Sequence, residues 1–490
     1  MKTHLRNRQI CTILAAAMLA AALSGCGSST SDEVVTEPVV NNTAAVTEAE
    51  TLSVQQEYIM ALPEADFGGD TFTILAVSDD IAWGRVSYDA EEEEGEVLND
   101  FIFQRNRAVE DLYNIKLEAV QDSNIPGTVK QTVNSGSDEY DMVSDYAKYV
   151  MRDCVNGYYY NLLSIEELNF DNPWWDKACA ELMTMSDRLF VAFNDMNTQP
   201  LALMSCVFVN NDLISQFDLP SPYQAVLDGT WTMDLFYEMC QDVSGDMNGD
   251  GKMDENDRYG FYTGVGSFNA WMVAADQKYI TKQDDGTMTL NYGSAGAIAA
   301  AEKIGKIIND SALSVYQNDH AWGSFDKGNA LFREATIGNM ENYRKSEINI
   351  GVLPVPKFDE AQPAYRGMMS NCSMGVSFLN TIQDPAKAAM IVEALGAHSY
   401  IDLRNAYYEI TLKDKLSRDE YTAQMLDIIV NNKTVDLGVI NEFAWGSVIS
   451  SFLTSIRKSG GAQLASLYEK NVSKFESTLE KIMGQLESLE

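Results

Sequence analysis

The stretch Gly68–Val77 reads GGDTFTILAV, a glycine turn that leads into a run of residues with high β propensity. It predicts a strand at the start of the folded body. The next stretch, Val97–Tyr113, has apolar residues at helical spacing, and Asn114–Val120 alternates apolar and polar residues as a strand does. A short helix and a third strand, Tyr140–Val143, follow. Because strands and helices alternate, the sequence predicts an α/β fold with helices on the faces of a sheet.

Ahead of this body, the N-terminus has the three parts of an export signal. A basic segment is followed by the apolar stretch Ile10–Leu23, which is shorter than the about 20 apolar residues of a membrane-spanning helix. Leu23–Cys26 then reads LSGC. This motif resembles the lipobox of bacterial lipoproteins, which implies that residues 1–25 are removed and that Cys26 carries the lipid, with palmitate among its acyl chains. The alternative is an ordinary cleaved signal with a chance cysteine.

The segment after the lipidation motif predicts a disordered tether over residues 26–64. Between Gly27 and Gly84 there is no Lys or Arg, and Ser28–Gln56 has no periodic apolar face. Such a segment cannot bury enough apolar surface to offset the entropy of ordering it. About 35 flexible residues reach roughly 30–35 Å, so we expect the body to stand off the extracellular face of a membrane that it contacts through the lipid alone.

Composition limits the partners and the redox chemistry of the body. The chain has 72 acidic and 35 basic residues and a formal net charge of −37, so it repels phosphate backbones, and the composition argues against nucleic acid as a partner. About 430 residues follow the tether, enough for two domains. The cysteines that remain are odd in number and lack a C-x-x-C pair, so we expect buried apolar side chains rather than disulfides. They are Cys154, Cys179, Cys206, Cys240 and Cys372.

Residues 246–257, with the sequence DMNGDGKMDEND, match the pattern of an EF-hand-type calcium loop. Oxygen-bearing side chains occupy positions 1, 3 and 5, glycine position 6, an apolar residue position 8, and acids positions 9 and 12. The loop is single and joins a predicted helix to a predicted strand, so we expect a structural calcium ion rather than a sensor. The alternative is an acidic surface loop without metal, and the Asp at position 12 leaves direct ligation there open. The candidate ligands are Asp246, Asn248, Asp250, the Lys252 carbonyl, Asp254 and Asp257.

The order of several short motifs resembles that of extracellular solute-binding proteins of ABC importers, family 1, which includes maltose- and oligosaccharide-binding proteins. The resemblance extends from Gly68 to about Leu486, and each motif by itself is weak. The motifs are FVNNDLI at 208–214, PY at 222–223, DGTWT at 228–232, IGNME at 337–341, GVLPVPK at 351–357 and DPAKAA at 384–389.

The resemblance implies a two-lobed periplasmic-binding-protein-like fold, in which each lobe is a mixed sheet flanked by helices and a hinge joins the lobes. We expect lobe 1 over residues 65–200 and 330–367, and lobe 2, which includes the calcium loop, over residues 201–329 and 368–490. The last segment should contain an amphipathic helix, because Val472–Leu486 has one apolar stripe. The expected hinge crossings lie near Pro200, Ala330 and Gly367.

The same resemblance implies a monomeric receptor that captures a small solute, a carbohydrate or oligosaccharide, between its lobes and delivers it to ABC permease subunits. Sugar-binding clefts need aromatic faces and planar polar groups. Each candidate also has a simpler interpretation, because a tryptophan more often belongs to a hydrophobic core than to a ligand platform. The candidates are Trp83, Asp145, Tyr146, Trp271, Glu341, Tyr343 and Trp445.

Two other functions share parts of this pattern. A secreted glycosidase that uses a pair of carboxylates is compatible with so many acidic residues. The sequence has no H-E-x-x-H, G-x-S-x-G or G-x-x-x-x-G-K-[ST] motif, however, and we predict a protein that is not an enzyme and has no catalytic residue. A calcium-dependent cell-surface interaction protein would share the anchor, the tether and the calcium loop, but it does not explain the alternation of strands and helices.

Overall fold

The stretch Gly68–Val77 forms the central strand of a sheet, as predicted. The computed structural model describes residues 53–82, 88–264, 267–316, 325–343, 346–413, 421–445 and 461–489, with positions 448, 451, 454 and 459. The predicted signal, Cys26, the first part of the tether and Trp83 lie outside these residues. The strands are β1 (Asp70–Val77), β2 (Ile115–Asp122), β3 (Met142–Ser144), β4 (Ser205–Asn210), β5 (Tyr259–Thr263), β6 (Ile280–Lys282), β7 (Met288–Leu290), β8 (Ser314–Tyr316), β9 (Ala330–Thr336), β10 (Ile350–Leu353), β11 (Gly367–Met368) and β12 (Lys433–Thr434).

Helices connect and cover the strands. They are α1 (Val54–Met60), α2 (Val97–Tyr113), α3 (Ile125–Ser135), α4 (Ala147–Asp153), α5 (Lys177–Met183), α6 (Gln199–Ala202), α7 (Asn211–Gln216), α8 (Pro222–Leu227), α9 (Met233–Val243), α10 (Ser267–Ala274), α11 (Ala295–Asn309), α12 (Pro385–Ser399), α13 (Asp402–Lys413), α14 (Thr422–Asn431), α15 (Leu437–Ile440) and α16 (Leu464–Glu487). Short 3₁₀ helices cover Cys154–Asn156, Leu162–Ser164 and Ile337–Tyr343. Within the described ranges, no helix combines the length and the apolarity needed to cross a membrane.

The first lobe is built on a parallel sheet of order β2-β1-β3. Strand β1 is buried from Phe72 onward, and α2 covers the sheet with its apolar stripe, which includes Leu98, Ile102 and Val109. Isolated bridges extend the sheet beyond β3, first to the segment at Ser377, then to Ala192 and Trp175. The carboxyl ends of β1 and β3 therefore lie at one edge of a sheet that also contains chain segments from later in the sequence.

The second lobe is built on a five-stranded mixed sheet of order β10-β4-β9-β5-β8. Strands β8 and β9 run parallel to β5, whereas β4 is antiparallel to both of its neighbours. Its core is aromatic: the Phe236 ring lies 4.6 Å from Phe332 and 5.0 Å from Phe261, measured between ring centroids, and Trp231 is fully buried beside them.

The predicted lobe boundaries were wrong after residue 330. Strands β9 and β10 pair with β4, so residues 330–353 belong to the second lobe. The chain returns later: Ser377 bridges to Val143 in the first sheet, and α12 packs on α2. The first part of 368–490 therefore belongs to the first lobe, and α14 then packs on β10 in the second. A buried strand looks the same in either sheet, so its partner is decided by long-range pairing alone.

The predicted tether is also too long, because α1 is ordered on the body. Ser53 and Gln56 form a capping box at its start, and the Tyr58 ring packs edge-on against Trp174 and Tyr400. The Gln55 amide donates to the Ala397 and His398 carbonyls of α12. Seven residues are too few for a stable isolated helix, so this helix depends on docking, which composition does not predict.

Helix α16 confirms the predicted C-terminal amphipathic helix and contacts both lobes. It buries Phe475, Ile482 and Leu486. Near its start, the Tyr468 ring lies 5.8 Å from Tyr292 in the second lobe. Near its end, Arg188 of the first lobe donates to the Leu489 carbonyl. A helix of this length therefore spans the junction between the lobes along one side of the molecule.

Candidate functional site

The crevice outside the carboxyl ends of parallel strands is where open α/β folds bind ligands. In the first lobe, β1 ends at Val77 and β3 at Ser144, so Ile81, Asp145 and Tyr146 lie at this edge. The Tyr146 hydroxyl donates a 3.0 Å hydrogen bond to the Ile81 carbonyl, and the Ile81 side chain is 46% exposed. The structure thus brings two predicted ligand-binding residues, Asp145 and Tyr146, to the cleft edge.

An aromatic surface continues from Tyr146 across to the second lobe. The Tyr149 ring lies 6.0 Å from the Tyr146 ring and stacks on the Phe443 ring at 5.7 Å. Phe443 is 43% exposed and follows α15, which packs both on α4 and on the β6–β7 hairpin of the second lobe. The Lys148 ammonium lies 5.2 Å from the centroids of both tyrosine rings and 5.7 Å from that of Phe443. We name these four residues the cleft patch.

Polar groups border the cleft patch on the segment that returns to the first lobe. The Asn371 amide donates to the Glu442 carboxylate at 3.3 Å, and the Asn371 carbonyl accepts from the Lys148 backbone amide. The Lys148 ammonium lies 3.0 Å from the Cys372 sulfur. Amide and carboxylate groups beside exposed rings are the combination that binds the hydroxyl groups and faces of sugars.

Asp145 has the most perturbed environment at this edge. Its side chain is 1% exposed, and its Oδ1 atom accepts from the Tyr146 backbone amide at 2.7 Å. Among the described residues its buried Oδ2 atom has no hydrogen-bond partner. Burial raises the pKa of Asp145 to about 7, because little water solvates the charged form. Near neutral pH this carboxyl group is therefore partly protonated and able to donate as well as accept.

Glu341 and Tyr343 lie on the 3₁₀ helix that follows β9 in the second lobe. The Tyr343 hydroxyl is hydrogen-bonded to Asp326 and Arg333, which also form an ion pair, and its ring packs edge-on against Phe208. Tyr343 therefore contributes to the structure of the second lobe, whereas Glu341 remains partly exposed.

Two predicted ligand-binding residues belong to the hydrophobic core, so these predictions were wrong. Trp271 is fully buried, with its ring 4.9 Å from Phe236. Trp445 is fully buried as well: its ring lies 5.2 Å from Phe475 on α16, and its indole nitrogen donates to the Leu437 carbonyl. Neither ring has a face open to a ligand, because each fills space between packed elements that the sequence does not show to be neighbours.

The sequence did not identify Lys148, Tyr149, Asn371, Glu442 and Phe443 as site residues. A signal existed for Tyr149, which follows Tyr146 by three residues and so lies on the same side of a helix that begins there. For Phe443 we find no such signal, because its position beside Tyr149 depends on packing between segments almost 300 residues apart.

The calcium loop has the predicted turn, and its carboxylates bind the backbone of the loop itself. The Asp246 carboxylate accepts from the Gly249 and Gly251 amides at 2.6 and 2.7 Å, and Gly251 has φ of 80°. Asp257 is buried and accepts from the Met247 and Asp254 amides at 2.8 and 2.7 Å. Both oxygens of position 12 are thus already hydrogen-bonded.

The fit of this loop to calcium is therefore partial. The donor types are right, since calcium prefers oxygen ligands, and Asp246, Asn248 and Asp250 are exposed. In the part of the chain that the structure describes, however, no group of three or more His, Cys, Asp or Glu side chains is close enough to hold a metal ion. Calcium remains a prediction that requires the side chains of the loop to turn inward.

A cavity of about 340 Å³ lies where the segment after Asn194 crosses from the first lobe to the second. It is lined by Trp175, Asp176 and Asp195 of the first lobe and by Lys433 of β12, and Lys433 pairs with Asp176 at 2.5 Å. The segments at Ser377 and Ala192 lie between Trp175 and β3 in the first sheet, and none of the cleft-patch residues lines this cavity.

No protein-family model and no curated protein sequence matches the chain. Solved structures match it over most of its length. The galacto-N-biose/lacto-N-biose I-binding protein of an ABC transporter from Bifidobacterium longum, solved with lacto-N-biose, has a TM-score of 0.57 and 12% identity, covering 85% of this chain and 98% of that one. A cyclo/maltodextrin-binding protein complexed with maltotetraose has a TM-score of 0.55 and 14% identity, covering 86% and 98%. A maltose/maltodextrin-binding domain from Bdellovibrio bacteriovorus bound to maltotriose has a TM-score of 0.53 and 13% identity, covering 84% and 100%. The predicted two-lobed α/β fold is confirmed.

Proposed function

We propose that this chain, which has the fold of the sugar-binding proteins of ABC transporters, is a solute receptor that captures a carbohydrate between its lobes and delivers it to permease subunits. The observation that carries this proposal is the stack of Tyr149 on Phe443 at the cleft edge. Tyr149 lies on α4 of the first lobe, Phe443 follows α15, which contacts both α4 and the β6–β7 hairpin, and Phe443 is 43% exposed. Aromatic faces of this kind pack against the apolar faces of pyranose rings.

Capture follows from contacts with both lobes. A sugar that stacks on Phe443 and hydrogen-bonds to Asn371 and Glu442 gains more contacts when the lobes approach each other, so binding shifts the hinge equilibrium towards the closed state. The Asp145 carboxyl group is buried behind the first-lobe side of the cleft, where it accepts from the Tyr146 backbone amide. Permease subunits then distinguish the closed receptor from the open one.

The anchor is part of the same proposal. LSGC at Leu23–Cys26 supports lipidation of Cys26 and a location on the extracellular face of the cell membrane, and the chain up to Ser53 supplies the tether. Radiolabelled palmitate should be incorporated into the wild-type chain and not into a Cys26→Ala variant. Labelling of the variant to the same level would contradict the anchor and leave the binding function untouched.

We also propose that the loop 246–257 holds one structural calcium ion, with Asp246, Asn248 and Asp250 as its side-chain ligands. Oxygen donors at alternate positions and the glycine turn at Gly251 support this. The ion would join the end of α9 to the start of β5 and has no part in ligand capture.

A thermal-shift screen of oligosaccharides at fixed calcium concentration tests the receptor function. A ligand that binds only the folded state increases the free energy of unfolding, by about 2.7 kcal/mol at a hundredfold ligand excess over Kd, and so raises the melting temperature. Absence of a shift with every saccharide would contradict the carbohydrate proposal. The same samples should be analysed for hydrolysis products, because turnover would favour the glycosidase. A cell-surface interaction protein would gain stability from calcium and from no small solute.

A further inference from the structure

Lys148 occupies the centre of the cleft patch. Its ammonium group lies over three aromatic rings, those of Tyr146, Tyr149 and Phe443, at 5.2 to 5.7 Å from their centroids. Its one hydrogen-bond partner among the described residues is the Cys372 sulfur, a weak acceptor. The ring faces attract the positive charge, but they are not strong acceptors for the N–H groups of the ammonium.

Lys148 has no acidic partner among the described residues, a property that it shares with Lys282 and Lys357, whose ammonium groups donate to backbone carbonyls. Acidic residues outnumber basic ones by 72 to 35, and cations such as Lys387, Arg366 and Lys433 each form an ion pair with an aspartate. Among the described residues, no carboxylate oxygen lies within the 4.0 Å ion-pair distance of the Lys148 ammonium.

Three acids near Lys148 differ in their contacts. Burial raises the pKa of Asp145 to about 7, which removes part of its charge near neutral pH. Asp153 pairs with Arg152, whereas the Glu442 carboxylate accepts from the neutral Asn371 amide and forms no ion pair with Lys148. Within the described residues, the Lys148 ammonium therefore makes no direct ion pair, and Asp145 acts on it only from a longer distance.

We propose that the captured solute is an anionic saccharide, with a carboxylate or sulfate group that pairs with Lys148 while its rings stack on Tyr149 and Phe443. This inference rests on the proposed receptor function. Closure of the lobes removes water from the cleft, and charge-assisted hydrogen bonds strengthen there. At physiological ionic strength, salt screens exposed charges that are more than about 8 Å apart. Most of the net charge of −37 therefore has little effect on a direct contact between an anion and Lys148.

Calorimetric titration of the full chain with matched ligands tests the proposal. The ligands are a neutral oligosaccharide, its uronic-acid counterpart with the same linkages, and its sulfated counterpart. We expect at least one anionic ligand to bind about ten- to a hundredfold more tightly than the neutral one, the range of a charge-assisted hydrogen bond. The uronic-acid and sulfated arms show which anionic group the site takes.

Two variants locate the effect. Lys148→Met should lower the ratio of anionic to neutral affinity about tenfold or more, and Lys148→Arg should retain the preference for the anion. Lys306→Met is the matched control, because the Lys306 ammonium also lies over a tyrosine ring, Tyr237, at 4.3 Å, but on α11 outside the cleft. That control should leave the ratio unchanged.

The possible failures are distinguishable. Equal or tighter binding of the neutral ligand, or an unchanged ratio in Lys148→Met, overturns the anionic saccharide and leaves the receptor function standing. Absence of binding by all three saccharides overturns the receptor function itself. If Lys148→Met does not fold, as judged by circular dichroism, the ligand preference of Lys148→Arg and of the wild-type chain decides.

Discussion

The Tyr149 ring stacks on the Phe443 ring with centroids 5.7 Å apart and planes inclined by 26°. Tyr149 belongs to α4 in the first lobe, and Phe443 follows α15, which packs on the second-lobe hairpin β6–β7. Because α15 also packs on α4, the stack joins α4 to the segment that links it to the hairpin. Because Phe443 is 43% exposed, substitution of this residue is a direct test of ligand binding.

Phe443→Ala should weaken saccharide binding about tenfold, because it removes both the stacking face and the apolar area buried by the sugar. Calorimetric titration measures the change. Phe358→Ala is the control, because the Phe358 ring lies against Lys303 of α11, outside the cleft. This variant should keep the wild-type ligand affinity, and the melting temperatures of both variants show whether either change affects folding. Equal loss of affinity in both variants would contradict the assignment of the cleft.

Asp145 should make the protein less stable as pH rises from about 4 to 7. Its pKa is raised by burial from 3.8 to about 7, so the folded state holds a proton that the unfolded state has already lost in this interval. Asp145→Asn removes this penalty and keeps an oxygen for the Tyr146 amide. We expect the variant to gain roughly 2–4 kcal/mol over wild type at pH 8 and little at pH 4. Urea unfolding at both pH values measures this; a constant difference would contradict the raised pKa.

Removal of calcium should lower the melting temperature, because an ion bound to the loop 246–257 of the folded state stabilises it by an amount that grows with the logarithm of the calcium excess over Kd. At a hundredfold calcium excess over Kd, bound calcium adds about 2.7 kcal/mol to the free energy of unfolding. Differential scanning calorimetry with and without chelator gives the effect, and Asp250→Ala should abolish the response. Asp284→Ala, an exposed acid outside the loop, should respond as wild type does. An identical melting temperature with and without chelator would contradict the calcium site.

Lys282→Ala should loosen the contact between the β6–β7 hairpin and the first lobe. The Lys282 ammonium donates to the Glu181 and Thr184 carbonyls, at 2.8 and 2.5 Å, at the C-terminal end of α5. A cation at this end also favours the helix dipole, so we expect a loss of about 1–2 kcal/mol. Chemical denaturation measures it, with exposed Lys327→Ala as the charge-matched control.

Trp445→Ala should act on stability rather than on the ligand site directly. Deletion of a fully buried tryptophan costs about 3–5 kcal/mol, and the Trp445 ring packs against Phe475 rather than into the cleft. Urea unfolding should show this loss. Selective loss of saccharide affinity at unchanged stability would restore Trp445 as a ligand platform.

Local patterns in the sequence determined those secondary-structure elements that depend only on residues close together in the chain. Strand β1, helix α2, the amphipathic helix α16 and the glycine turn at Gly251 follow from propensity, periodicity and backbone freedom, which neighbouring residues set. The order of the motifs determined the two-lobed fold. Asp145 and Tyr146 were predicted from their position after the third strand, and they follow β3 at the carboxyl edge of the first sheet; their role in ligand binding stays a prediction.

Tertiary structure alone decided which segments meet. Strand β9 pairs with β4 rather than with the first sheet, Trp271 and Trp445 fill cores, and α1 is ordered only because it docks on α12. Lys148 and Phe443 are adjacent although they are far apart in the chain. Pairing and burial depend on contacts between distant segments, and a buried tryptophan and a ligand platform have the same sequence signature. The identity of the cleft residues was therefore a property of the folded chain, whereas its elements and its fold class were visible in the sequence.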